Sequence, residues 1–177
     1  RLNPKEDIEI INAELILKDI ETVGNRLDST KGKMKGVIPE ATQKYAALLE
    51  KVYAVLNSGQ PARTIDLNIE EIQSLNDLSL ITLKPMIYVA NVDENELQIT
   101  NDELRDALGL PSEEVVVAIS VKTEAELVSL NEEEQKEYLQ SLGLEESGLD
   151  RIARIGYATL GLINYFTTGE METRAWT

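Results

Sequence analysis

Two short apolar runs constrain this chain more than any other feature: Met86-Ile87-Tyr88-Val89-Ala90 and Glu114-Val115-Val116-Val117-Ala118-Ile119-Ser120. Each is short, the second especially rich in β-branched residues, and each is followed by polar residues. This is the pattern of a strand buried on both faces of a parallel sheet. Between them Thr100 or Asn101 caps a helix to about Leu108, and Gly109-Leu110-Pro111 stops it. Strand, helix, strand is the βαβ unit of an open α/β sheet. Helices over about 124–130, 132–142 and 147–160 follow. Residues 162–166 and 172–176 then read as a hairpin across Thr167-Thr168-Gly169.

The residues ahead of the first strand are helical by pattern. Asn3-Pro4 opens a helix with Pro at its first position, and Glu6-Asp7 suit the positive end of the dipole. Ile8, Ile11, Leu15, Ile16, Ile20, Val23 and Leu27 recur at spacings of three and four. That predicts an amphipathic helix to about Leu27, broken by Lys31-Gly32-Lys33-Met34-Lys35-Gly36. A second helix runs from Pro39-Glu40 to Asn57-Ser58-Gly59, with a stripe of Tyr45, Leu48, Leu49, Val52, Val55 and Leu56. Joined by a short loop, the two should pair antiparallel. Asn68 caps a further short helix through Leu75.

Composition removes whole classes of chemistry. There is no Cys and no His among the 177 residues. Disulfide scaffolds, thiol nucleophiles, Cys/His zinc sites and histidine general bases are therefore excluded. Seventeen basic residues face 32 acidic ones, for a formal charge of −15. Residues 1–60 hold nine of each sign, whereas 61–177 hold eight basic and 23 acidic, a shift that accompanies domain boundaries. The acidic part should repel phosphate backbones, so no DNA specificity is expected. Lys31, Lys33 and Lys35 form the basic cluster; it reads as a contact for RNA or an acidic partner, or as a solvated loop tip. No apolar run approaches the roughly 20 residues of a membrane span and no signal peptide opens the chain, so a cytoplasmic protein without membrane contact is expected. The chain begins in a helix-start signal and stops on Trp176-Thr177 in an apparent strand, as a piece of a longer protein would.

In open α/β folds ligands bind beyond the carboxyl ends of the strands. The first run passes into Asn91-Val92-Asp93-Glu94, the second into Ser120-Val121-Lys122. An Asn side chain has an acceptor and a donor and can grip a purine N7 with its neighbouring exocyclic group. A carboxylate three positions on can accept from the base's Watson–Crick edge, and backbone N–H groups at the second strand's end can meet a base carbonyl. The same residues also read as a turn after a strand with solvated acids. No G-x-x-x-x-G-K-[ST] loop is present. The acids from Asp93 do not make a calcium loop, since Gln98 stands where Gly is needed and Leu104 where Glu is needed. No metal site is expected.

Several stretches together resemble the YchF subfamily of Obg-like translation-factor P-loop NTPases. They are Asp7-Ile8-Glu9-Ile10-Ile11-Asn12-Ala13-Glu14-Leu15, Lys84-Pro85 through Asn91-Val92-Asp93-Glu94, Gly143-Leu144-Glu145-Glu146-Ser147-Gly148-Leu149-Asp150-Arg151, and Leu162 to Glu170 with Thr173-Arg174-Ala175-Trp176-Thr177. The resemblance implies an α/β plus α architecture: a helical coiled-coil hairpin inserted over residues 1–82, the C-terminal part of a parallel-sheet G domain over 83–161, and the first hairpin of a β-rich TGS domain over 162–177. It implies a ribosome-associated ATPase/GTPase that uses ATP or GTP with Mg²⁺ in the intact protein. On that layout the Walker A loop, both switches and most of the TGS domain would lie outside this sequence, so the piece alone is expected to be catalytically silent and to hold no nucleotide. On the same resemblance the base-specificity motif falls on Asn91, Val92, Asp93 and Glu94, with Asn91, Val92 and Glu94 expected to bind the base, while Ser120, Val121 and Lys122 line the base pocket. Glu94 stands where ordinary GTPases have Asp, which loosens guanine selection.

A second reading is a non-catalytic acidic helical module that docks protein or RNA. The two differ in whether Asn91 and Ser120 converge on one open pocket.

Overall fold

The computed structural model describes residues 3–34, 36–163, 165–168 and 173–176. Its contacts divide the chain into two compact units, Arg1–Pro85 and Met86–Thr177. The first unit carries eleven basic and thirteen acidic residues, the second six and nineteen, so −13 of the −15 falls on the second.

The first unit is a helical hairpin with a short helical appendage. Helix α1 spans Pro4–Lys33 and α2 spans Glu40–Asn57. They run antiparallel, with Lys31 paired to Glu50 at 2.6 Å and Gly24 beside the Tyr53 ring. A Cβ at Gly24 would sit 3.3 Å from the ring edge, so the helices approach closely at this point. Ile16, Val23 and Leu27 of α1 bury against Leu48, Leu49, Val52 and Leu56 of α2, each fully buried side chain contributing about 1.5–3 kcal/mol. Ala62, Leu75, Leu78 and Leu80 complete this core, Leu75 ending helix α3 (Ile69–Leu75).

Helix α1 runs past the end of its apolar stripe near Leu27 and stops at Lys33, inside the Lys31–Gly36 segment expected to break it. Thr30 is buried, its hydroxyl donates to the Arg26 carbonyl at 2.8 Å, and the Lys31–Glu50 pair ties the next turn to α2. Lys31 and Lys33 in the last turn also suit the negative end of the dipole. Lys35 lies outside the described residues. At the other end Ile10 and Ile11 are exposed, so the predicted stripe is buried only from Ile16 onward.

Asp19, 2 % exposed, fastens the hairpin to the segment that leaves it. Its carboxylate accepts from the Ile81 and Thr82 N–H groups at 3.0 and 2.7 Å and from the Thr82 hydroxyl at 2.7 Å. The same Thr82 oxygen accepts from the Ala62 N–H. Both side-chain oxygens are therefore hydrogen-bonded, as a buried polar group requires.

In the second unit β1 (Ile87–Asn91) and β2 (Val115–Ile119) pair in parallel, in register from Ile87 opposite Val115 to Asn91 opposite Ile119. Helix α4 (Asn101–Leu108) makes the crossover. Thr100 caps it through a reciprocal bond pair with Glu103, and Gly109, at φ 69°, ends it. Leu104 packs on Val116 and Ala118. β2 is buried almost throughout, as expected, but β1 is not: Val89 is 47 % exposed. β1 pairs with β2 alone among the described strands, so one edge and part of one face stay open.

Helices α5 (Val121–Val128), α6 (Glu132–Ser141) and α7 (Gly148–Thr159) follow. α5 begins three residues earlier than the pattern suggests, because the Ser120 side chain accepts from the Thr123 N–H and starts the helix directly at the strand's end. Asn131 with Glu134 forms a capping box for α6, as Asn68 with Glu71 does for α3. β3 (Tyr165–Thr168) and β4 (Thr173–Trp176) pair antiparallel, with Tyr165 opposite Trp176. Thr167 and Thr168, read from sequence as turn residues, are strand residues, while Gly169 and Glu172 fall outside the described set.

Candidate functional site

The parallel register fixes where the polar strand ends lie. Asn91 is the last residue of β1, directly opposite Ile119, and the ladder extends one step further through the Val92 N–H to the Ile119 carbonyl at 2.8 Å. That brings Asn91 beside the start of α5, where its Oδ1 accepts from the Val121 N–H at 3.1 Å. The oxygen must face this donor, so the Nδ2 donors of Asn91 remain for a ligand.

Beyond the two strand ends lies a cavity of about 310 Å³ lined by Asn91, Val92, Asp93, Glu94, Asn95, Ser120 and Lys122. A 3-10 turn, Glu94–Glu96, begins at its edge, with the Glu96 N–H on the Asp93 carbonyl at 2.8 Å. Gln98 anchors this loop from behind, donating to the Leu142 carbonyl at 2.9 Å. The approach requires Gly143, which sits at φ 71° and whose added Cβ would lie 2.6 Å from the Gln98 amide nitrogen.

Five of the six residues expected to read a base therefore meet in one cavity. Val121 does not line it; its N–H is taken by Asn91 and its side chain is 57 % exposed. Asn95 lines the cavity without having been singled out from sequence. Nothing in its spacing marks it, since the 3-10 turn that turns it inward is a local feature with no apolar period. Lys31 and Lys33 lie on α1 in the other unit, Lys31 already paired with Glu50.

The lining includes the carboxyl groups of Asp93 and Glu94 and the Lys122 amine. Lys122 is in turn 3.9 Å from Glu126, one helical turn on. Glu126 accepts a short hydrogen bond from the Tyr138 hydroxyl. That bond, burial and the Glu126 and Glu94 charges push the Tyr138 phenol up to about 12. An amide donor, carboxylate acceptors and one cation around a small open cleft suit a flat polar heterocycle with both donors and acceptors on its edge. No group of three or more Asp or Glu that could hold a metal ion occurs among the described residues. No helix among them is long and apolar enough to cross a membrane.

A mixed helix-and-sheet protein with a small parallel sheet and a polar cavity at the carboxyl ends of its strands is the class that fold and site define. No protein-family model matches the chain. It is 40 % identical to the Ribosome-binding ATPase YchF of Escherichia coli O157:H7 and 37 % identical to that of Bacillus subtilis (strain 168), in each case over 100 % of this chain and 49 % of the relative. The structure of the Schizosaccharomyces pombe YchF GTPase matches with a TM-score of 0.85 at 33 % identity, over 98 % of this chain and 48 % of that one. The chain belongs to the YchF family, and it spans about half the length of the curated relatives it matches.

Proposed function

We propose that the cavity at the β1 and β2 ends reads the purine base of ATP or GTP within a ribosome-associated nucleoside triphosphatase of the cytoplasm. The observation that carries this is the Asn91–Val121 hydrogen bond at 3.1 Å across in-register strand ends, which joins the two base-reading segments into one cleft. In this reading Asn91 donates to N7, Glu94 accepts from the Watson–Crick edge, Val92, Ser120 and Lys122 flank the ring, and the backbone at Val121 holds Asn91 in place. The relatives' names supply ribosome binding and ATPase activity, and we carry both over to the full-length protein.

The sequence offers no phosphate loop, and the described residues offer no cluster of metal ligands, while the cavity residues suit a base. In the full-length protein Mg²⁺ would neutralise phosphate charge during transfer. Residues 1–82 would act as an inserted helical hairpin, 83–161 as the base-reading end of a G domain, and 162–177 as the opening of a TGS domain.

Nucleotide titration of the full-length protein tests the reading. Asn91→Ala is expected to weaken ATP binding about tenfold or more, the loss of roughly 1.4 kcal/mol. Glu94→Asp is expected to shift the ATP/GTP preference toward GTP, because the shorter carboxylate restores the two-point fit to guanine. Unaltered ATP affinity in the first variant removes the cavity from nucleotide recognition; an unaltered ratio in the second removes Glu94 from selection.

A further inference from the structure

Ser120 and Lys122, at the start of α5, form one wall of the cavity, and the rear of this turn is held by a contact that no base-reading motif includes. The Glu124 carboxylate accepts from the Gly148 N–H at 2.7 Å and from the Leu149 N–H at 3.4 Å. These are the first two amides of α7, and the third, Asp150, donates to its own cap Ser147 at 3.0 Å. The orphan donors at the start of α7 are thus met jointly by its own cap and by a carboxylate from another helix.

Gly148 is the residue that makes the contact possible. A Cβ there would lie 2.8 Å from Glu124 Oε1 and 2.8 Å from Ile119 Cγ2. Glycine at the start of a helix costs backbone entropy, so a side chain has been given up for proximity. Ile119 is the last residue of β2 and pairs with Asn91. Around α5 the contacts therefore form a closed set: Asn91 holds the Val121 amide from the front, Ser120 caps the helix, and Glu124 is clamped to α7 behind.

We infer that Glu124 and Gly148 are positioning residues for the cavity, setting where the Ser120–Lys122 backbone stands relative to Asn91 and Glu94. The inference rests on the purine reading above. Displacing Glu124 frees the first turn of α5 to rotate about its strand junction, which moves the Val121 N–H off Asn91 and the Lys122 side chain off the ring. The loss should therefore fall on the base and not on the phosphates.

The test compares two probes on the full-length protein: ATP, which uses base and phosphate contacts, and inorganic tripolyphosphate, which uses phosphate contacts alone. Glu124→Ala and Gly148→Ala are each expected to weaken ATP binding about tenfold while tripolyphosphate binding stays within about twofold. Glu124→Gln, which keeps an acceptor for the Gly148 amide, should recover most of the ATP affinity. An equal loss for both probes, or a lowered Tm with unchanged ATP affinity, assigns the contact to stability alone and overturns the inference. Asn91→Ala separates the two ideas. If it weakens ATP binding while the Glu124 and Gly148 variants do not, only the positioning role fails; if it too leaves ATP binding unchanged, the purine reading fails with it.

Discussion

Thr123 is 2 % exposed and its hydroxyl is the buried side-chain group without a hydrogen-bond partner among the described residues. A hydroxyl desolvated with nothing to bond is a net cost, and a methyl of the same shape carries none. Thr123→Val is accordingly expected to stabilise the protein by about 1 kcal/mol, read as a rise in Tm. Tyr138 makes the opposite case, a polar group whose partner is tightly engaged. Its phenol titrates above the ordinary value, at about 12, chiefly because it donates to Glu126. A raised folded-state value means the neutral hydroxyl is favoured by folding; that contribution is complete below the unfolded value near 10 and is lost as pH rises through about 12. Tyrosinate absorbance during alkaline titration should show one late component that Tyr138→Phe removes, and a component already lost near 10 would contradict the Glu126 contact.

The hairpin formed by α1 and α2 ends in Lys31 and Lys33, the described cations at its tip. If this element makes the ribosomal contact, reversing both charges to Glu should weaken co-sedimentation of the full-length protein with ribosomes, more so at low salt, because each lost phosphate contact also removes counterion release. Unchanged pelleting moves the contact elsewhere. Elements of this kind were legible in the sequence where one periodic face met one core. The α2 stripe from Tyr45 to Leu56, the α4 cap at Thr100 and the two parallel strands follow from apolar spacing and caps alone. Element ends were less so. α1 outruns its apolar stripe because Thr30 and the Lys31–Glu50 pair, neither hydrophobic, carry its last turn. β1 carries the composition of a strand buried on both faces, yet Val89 is exposed and the strand pairs along one edge only among the described strands. At the cavity, residue types at the strand ends pointed to Asn91, Glu94 and Ser120, while the Glu124–Gly148 contact joins positions 24 apart and leaves no local mark.

Across the whole molecule the charge is lopsided, with the Met86–Thr177 unit at −13 and its partner unit near balance. Like charges at this density repel one another across the compact state, and added salt shortens their reach from about 30 Å at 0.01 M to about 8 Å at 0.15 M. Raising NaCl over that range is expected to raise the Tm of the second unit; a falling Tm would mean that attractive pairs such as Arg154 with Glu146 outweigh the repulsion. The helix starts bear on a different property, the sequence of events by which the chain acquires its shape. α3, α4 and α6 each close a reciprocal capping box within four consecutive residues, so these three can begin as soon as their own first turn is made. α7 cannot do so fully, since two of its opening amides wait for a carboxylate that arrives only when α5 has seated against β2. Substitutions at Glu124 should hasten unfolding while leaving the rate of refolding almost untouched, the signature of a contact formed after the rate-limiting barrier. α7, the helix that precedes β3, is then expected to set only after α5 has docked.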